Sequence, residues 1–163
     1  MIGSLRWSRR FVMTAALFFL AASPCYAIDP VEGQTQAFLT AYANGDSASV
    51  LSAVGAGTVI YGSDAAEVFR GPVEVRAMLE NDRKLWGGSA RIGPMQQVSV
   101  IHRGDLASIF FDAPFSAGGR PPVLVRFALV WTLTNGHWLL EQASNTVPTT
   151  GQSAAELLAR PAR

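Results

Sequence analysis

Cysteine is almost missing from this chain: its 163 residues contain one, Cys25. A lone thiol excludes an internal disulfide, and this one stands in a segment expected to be removed, so the domain must be held by packing. Histidine is nearly as scarce, with only His102 and His137. Two separated imidazoles without cysteine partners make no dedicated zinc site, and neither a metal nor a cofactor is expected. A phosphate-binding Walker loop, a dinucleotide fingerprint and a G-x-S-x-G nucleophile elbow are absent too. No basic stripe is present, which argues against nucleic acid as a partner. Repeats, long low-complexity tracts and internal linkers are likewise missing.

The N-terminus supplies the first positive signal. MIGSLRWSRR carries three arginines and no acid, FVMTAALFFLAA is apolar, and SPCYA ends in small residues. A charged region, an apolar run and a cleavage motif of small residues in that order read as an export signal. A membrane anchor is the rival reading, but the uncharged run over residues 11–28 is at the short limit for spanning a bilayer and is broken by Pro24. The pair Arg9-Arg10 leaves both the general and the twin-arginine route open. Pro24 stands where a lipoprotein signal needs a small residue, so Cys25 is not expected to carry lipid. Cleavage is expected after Ala27, giving a periplasmic or secreted protein without a stable membrane anchor. The mature chain keeps all twelve acids and loses three of thirteen basic residues, for a formal charge of −2. Its 136 residues suffice for one domain with a core. That domain is expected over residues 28–147, followed by a loose tail over 148–163 with one helical turn in SAAELLAR.

Helices come first. Asp29 is a good N-cap, Pro30 suits the first helical position, and Glu32 completes a capping-box-like pattern. Phe38, Ala41 and Tyr42 share one helical face, and Gly45 is the expected stop. Asp46 can cap a second short helix through Val54, TVIYG reads as a strand, and Pro72 opens a third helix that ends at Gly87-Gly88. The texture then changes to four strand-like runs, MQQVSVIHRG, LASIFFDAPF, PVLVRFALVWTLT and HWLLEQASNT. Helices followed by strands predict an α+β domain with helices on one face of an antiparallel sheet.

The last two strands flank Asn135-Gly136, a strong two-residue hairpin turn. That turn sets Leu133 opposite Trp138, Trp131 opposite Leu140, Leu129 opposite Gln142 and Phe127 opposite Ser144. Directly opposed residues share a face. One face is therefore expected to carry Phe127, Leu129, Trp131, Leu133, Trp138 and Leu140, with Gln142 and Ser144 as its polar end. The other carries Arg126, Ala128, Val130, Thr132, Leu139, Glu141, Ala143 and Asn145. It can face solvent or a second subunit, with Arg126 pairing to Glu141 or reaching the partner.

AYANGD at the end of the first helix, TVIYG, FRGPVEVRAML and VWTLTNGHWLLEQAS together resemble the nuclear transport factor 2-like superfamily. More narrowly, they resemble its SnoaL-like and ketosteroid-isomerase-related domains, over about residues 31–146. The resemblance implies a cone, a strongly curved antiparallel sheet wrapped around N-terminal helices as in the cystatin-like folds. It further implies an apolar cavity at the wide end and a sheet-to-sheet homodimer. Ketosteroid isomerases use a first-helix tyrosine, an aspartate base after the first strand and a protonated aspartic acid on a central strand. In this chain Tyr42 does not match the tyrosine's spacing, the base position falls near Tyr61 with Asp64 three residues on, and the strand over 123–134 has no acid. That triad is absent. The paired histidines and acid of scytalone-dehydratase-like sites are absent as well.

The expected pocket, for a small hydrophobic molecule, is framed by Phe38, Tyr42, Tyr61, Trp86, Phe127, Gln142 and Ser144. Plainer roles stand beside these: Phe38 and Tyr42 as core of the first helix, Trp86 as a plug at the end of the third, Asp64 as a turn residue. Binding is favoured over turnover. The alternatives are a non-enzymatic homodimerisation or interaction module, or an isomerase-, cyclase- or dehydratase-type enzyme.

Overall fold

A computed structural model describes residues 28–88, 90–149 and 153–159. The export signal expected over residues 1–27 lies outside the described residues. Helix α1 spans Pro30–Asn44 and starts as its sequence implies, with Asp29 Oδ1 accepting from Val31 N at 2.9 Å. The second oxygen of Asp29 lies 2.9 Å from His102 Nε2, so one carboxylate caps the helix and ties it to the sheet. Gly45 ends α1 in the left-handed conformation. Asp46 then caps α2 (Ser47–Ser52) by accepting from both the backbone N–H and the hydroxyl of Ser49. The chain turns sooner than expected, and Val54 already begins a strand.

Strand β1 (Val54–Tyr61) pairs with β2 (Val68–Arg70), a short strand that sequence periodicity did not single out. Helix α3 (Gly71–Leu85) follows, then β3 (Ala90–Ile92), β4 (Gln96–Arg103), β5 (Leu106–Ala117), β6 (Val123–Thr134) and β7 (His137–Thr146), with α4 (Ala154–Leu158) in the tail. The seven strands form one sheet in the order β2-β1-β7-β6-β5-β3, with β4 also paired to β5. All pairs are antiparallel except β1 with β7, which is parallel. The fold is the expected α+β arrangement, a curved, unclosed sheet with α1, α2 and α3 packed on one face.

Strand alternation decides which side chains meet the helices. On β5, Ala107, Ile109, Phe111 and Ala113 are buried while Phe110 is exposed. Beside them lie Leu129, Trp131 and Leu140, and against these pack Val31 and Leu39 of α1, Val50 of α2, and Val75 and Leu79 of α3. Trp131 is wholly buried and meets Phe38 edge to face at 5.6 Å.

The β6–β7 hairpin departs from its expected register at one point. Leu133↔Trp138 and Trp131↔Leu140 pair as expected, but a bulge at Glu141 then puts Val130 opposite Gln142, Ala128 opposite Ser144 and Phe127 opposite Asn145. One extra residue reverses every later side chain. Gln142 and Ser144 therefore move to the outer face, and Ala143 and Asn145 take their places inside. The bulge coincides with an irregularity in β1, whose pairing with β7 shifts between Val54 and Val59. There the buried Thr58 hydroxyl donates to the Leu140 carbonyl and accepts from Gly55 N. It satisfies two backbone groups that the interrupted ladder would leave unpaired.

Candidate functional site

The open end of the curved sheet holds a cavity of about 280 Å³. Its sheet wall comes from Phe115 on β5, Val123, Val125 and Phe127 on β6, and Asn145 on β7, and Ile60 and Phe69 close the side. Helix α3 supplies Met78, Asp82 and Leu85, with Trp86 just past its end, and α1 supplies Tyr42. A neighbouring groove of about 440 Å³ shares Leu85, Trp86, Phe115 and Val123 with the cavity. A third crevice, beside Gly45 and Arg83, measures about 10 Å³ and is too small for a ligand.

One polar feature of the cavity is a hydrogen bond from the Tyr42 hydroxyl to Asp82 Oδ2, at 2.6 Å. The two residues lie forty positions apart in sequence and meet because α1 and α3 converge over the sheet. Burial first, then the negative charge of Asp82 and the bond to it, hold the phenol well above its ordinary range, so Tyr42 remains a donor. Asp82 is pushed up as well, chiefly by burial and also by the charge of Glu67, while the Tyr42 hydroxyl pulls the other way. Burial wins.

Glu67 reaches the cavity because the loop after β1 folds tightly. Gly62 N donates to the Glu67 carbonyl at 2.8 Å, and Glu67 Oε2 accepts from Asp64 N at 3.0 Å. A methyl group on Gly62 would fall 2.2 Å from Glu67 Oε2 and 2.6 Å from its Cβ, so only glycine fits beneath this carboxylate. Asp64 is a turn residue, its side chain accepting from Ala66 N at 2.9 Å.

Of the seven residues expected to frame a pocket, Tyr42, Trp86 and Phe127 line this cavity. Trp86 stands edge-on between Tyr42 at 5.2 Å and Phe115 at 5.3 Å. Phe38 packs in the core against Trp131 instead. Tyr61, half exposed, sits opposite Ser144 on the outer side of the sheet, since its neighbour Ile60 takes the inward position. Gln142 and Ser144 are outside because of the bulge at Glu141. Arg126 does not pair with Glu141: from an exposed position it grips Asp112 directly opposite on β5, with Nε to Oδ1 at 2.9 Å and Nη2 to Oδ2 at 3.3 Å. The cavity acids went unnoticed in the sequence. Yet Val75, Met78 and Leu79 define an inward stripe that passes through position 82, and an acid on that stripe was the available signal. Among the described residues, no three His, Cys, Asp or Glu side chains are grouped to hold a metal ion.

The model of the SnoaL-like domain matches residues 31–150, and the chain belongs to that family. Similar solved structures agree on the fold. An NTF2-like protein of unknown function from Pseudomonas putida is 17% identical, with a TM-score of 0.65 over 72% of this chain and 84% of that one. A provisionally assigned dehydratase of the NTF2-like family from Streptomyces avermitilis is 20% identical, with a TM-score of 0.64 over 74% and 94%. A provisionally assigned ketosteroid isomerase from Shewanella frigidimarina is 16% identical, with a TM-score of 0.60 over 71% and 93%. No curated protein matches the chain.

Proposed function

We propose that this protein is an exported small-molecule-binding domain whose cavity receives a small hydrophobic molecule. The observation that carries the reading is the Tyr42–Asp82 hydrogen bond set in the wall of a mostly apolar, roughly 280 Å³ cavity. Ligand sites combine mostly apolar walls with a few placed polar groups. Binding is favoured over turnover. The provisional dehydratase and ketosteroid isomerase have similar folds, but Tyr61, at the position the isomerase resemblance gives to the base, stands on the outer side of the sheet. Two measurements test the reading. Native mass spectrometry of protein isolated from the periplasm should show a retained small molecule and a chain beginning at or near Ile28. Met78→Trp, which puts a large ring into the cavity, should abolish binding of 2-naphthol by calorimetry while the protein stays folded. Unchanged affinity in a folded Met78→Trp variant would place the ligand elsewhere.

A second reading, compatible with the first, is that the outer sheet face joins two copies of the chain. Tyr61, Ile101, Leu106 and Phe110 are exposed large apolar side chains there, around the row Ser99–Phe110–Ala128–Ser144–Tyr61 that crosses five strands. Contiguous exposed apolar surface of this kind marks an interaction site, and closed two-fold dimers are the commonest assembly.

A further inference from the structure

We infer that the cavity selects an apolar ligand bearing a cationic amine, held between the carboxylates of Asp82 and Glu67 and the rings of Tyr42, Trp86 and Phe115. The inference rests on the reading of this cavity as a ligand site and adds the ligand's charge.

The charge on the cavity walls is of one sign. Among the sixteen lining residues there are two carboxylates and no lysine, arginine or histidine. Asp82 is hydrogen-bonded to a neutral phenol and Glu67 to a backbone N–H. Among the described residues neither carboxylate has an ion-pair partner, since the pairs present are His102 with Asp29 and Arg126 with Asp112. The nearest cation in sequence is directed away: Arg83 reaches the Gly45 carbonyl at 3.3 Å and lines the small crevice instead. Arg120 lies in the adjoining groove, not in the cavity.

Two acids sharing an apolar space without a counter-charge disfavour each other's ionisation, and a cation between them relieves both. The burial of Asp82 and the charge of Glu67 already act in this sense on the Asp82 carboxyl. An anionic ligand meets the opposite situation and is repelled.

The aromatic side chains favour a cation independently of the acids. Trp86 meets Tyr42 at 89° and Phe115 at 64°, so the three rings form an angled wall rather than a flat stack. The faces of Trp and Tyr attract ammonium groups through their quadrupole. Carboxylates combined with such a wall suit an ammonium head, while Phe69, Val125 and Phe127 suit an apolar body.

A matched set of probes tests this in the full-length mature protein: 4-phenylbutylamine, 4-phenylbutanol and 4-phenylbutyrate, titrated by calorimetry at neutral pH. The amine is expected to bind at least tenfold more tightly than the alcohol, and the carboxylate more weakly than either. Asp82→Asn, whose amide oxygen can still accept from Tyr42, should weaken the amine far more than the alcohol and so erase the amine's advantage. Glu67→Gln should reduce that advantage in part, which guards against a folding defect in the first variant. Equal affinity for amine and alcohol in the native protein overturns the charge inference and leaves the ligand cavity standing. Absence of binding by all three overturns both.

Discussion

Asp82 is a carboxyl group that the fold holds above its ordinary range, mainly by burial, and that has a consequence for stability. The folded chain keeps a proton on Asp82 at pH values where the unfolded chain has released it. Stability from this group is therefore complete below the unfolded value of 3.8 and falls as pH rises towards the folded value. Asp82→Asn removes the titration. The variant should match the native protein near pH 3 and become relatively more stable as the pH is raised through that window. Melting temperatures measured from pH 3 to pH 8 check this, and a native-minus-variant difference that does not change with pH would refute it. Asp29 leans the opposite way: burial pushes its carboxyl up, but its bonds with His102 and Val31 together hold it low.

At the scale of elements, the bulge of β7 decides which polar residue meets the cavity. Thr58 holds it in place, bridging Gly55 N and the Leu140 carbonyl from a fully buried position. Thr58→Val keeps the shape and removes the bridge, leaving two backbone groups without that partner. It should cost about 1–3 kcal/mol, whereas Thr58→Ser should recover most of the loss, as urea unfolding would show. A Thr58→Val protein as stable as the native one would mean the bulge does not depend on this hydroxyl. The same element marks the limit of what the sequence reveals. Helix caps at Asp29, Asp46 and Gly45 and the turn at Asn135-Gly136 are local and were legible. The inward face as far as Leu140 followed from strict alternation. The bulge did not, because it answers to a side chain on β1, more than eighty positions earlier. For the same reason strict alternation puts Gln142 and Ser144 on the wrong face and leaves Asn145 outside the cavity. Of the cavity, Tyr42, Trp86 and Phe127 were legible as large apolar residues at the right periodicity. Asp82 and Glu67 were not, since their roles depend on how α1, α3 and the loop after β1 converge.

At the scale of the whole molecule, the outer sheet face bears on assembly. Reversing the charge of Arg126 is a poor probe of that face, because Arg126 is the partner of the buried Asp112 and its loss would unsettle the fold itself. Phe110 is the better site: it is 52% exposed near the middle of the face and makes no such pair. If two copies meet there, Phe110→Lys should convert a dimer to a monomer on a sizing column without lowering the melting temperature of the isolated chain. A native protein that elutes as a monomer at micromolar concentration would rule the assembly out.

The parallel pairing of β1 with β7 also governs the order of events during folding. Ile60 and Ala143 are direct neighbours in the sheet although more than eighty positions separate them along the chain. β1 and β2 can form a hairpin early, but they join the rest of the sheet only when the last strand arrives. Contacts this remote in sequence slow folding. The cavity thus stays unfinished until the final strand has joined the sheet, and it is among the last parts of the molecule to form.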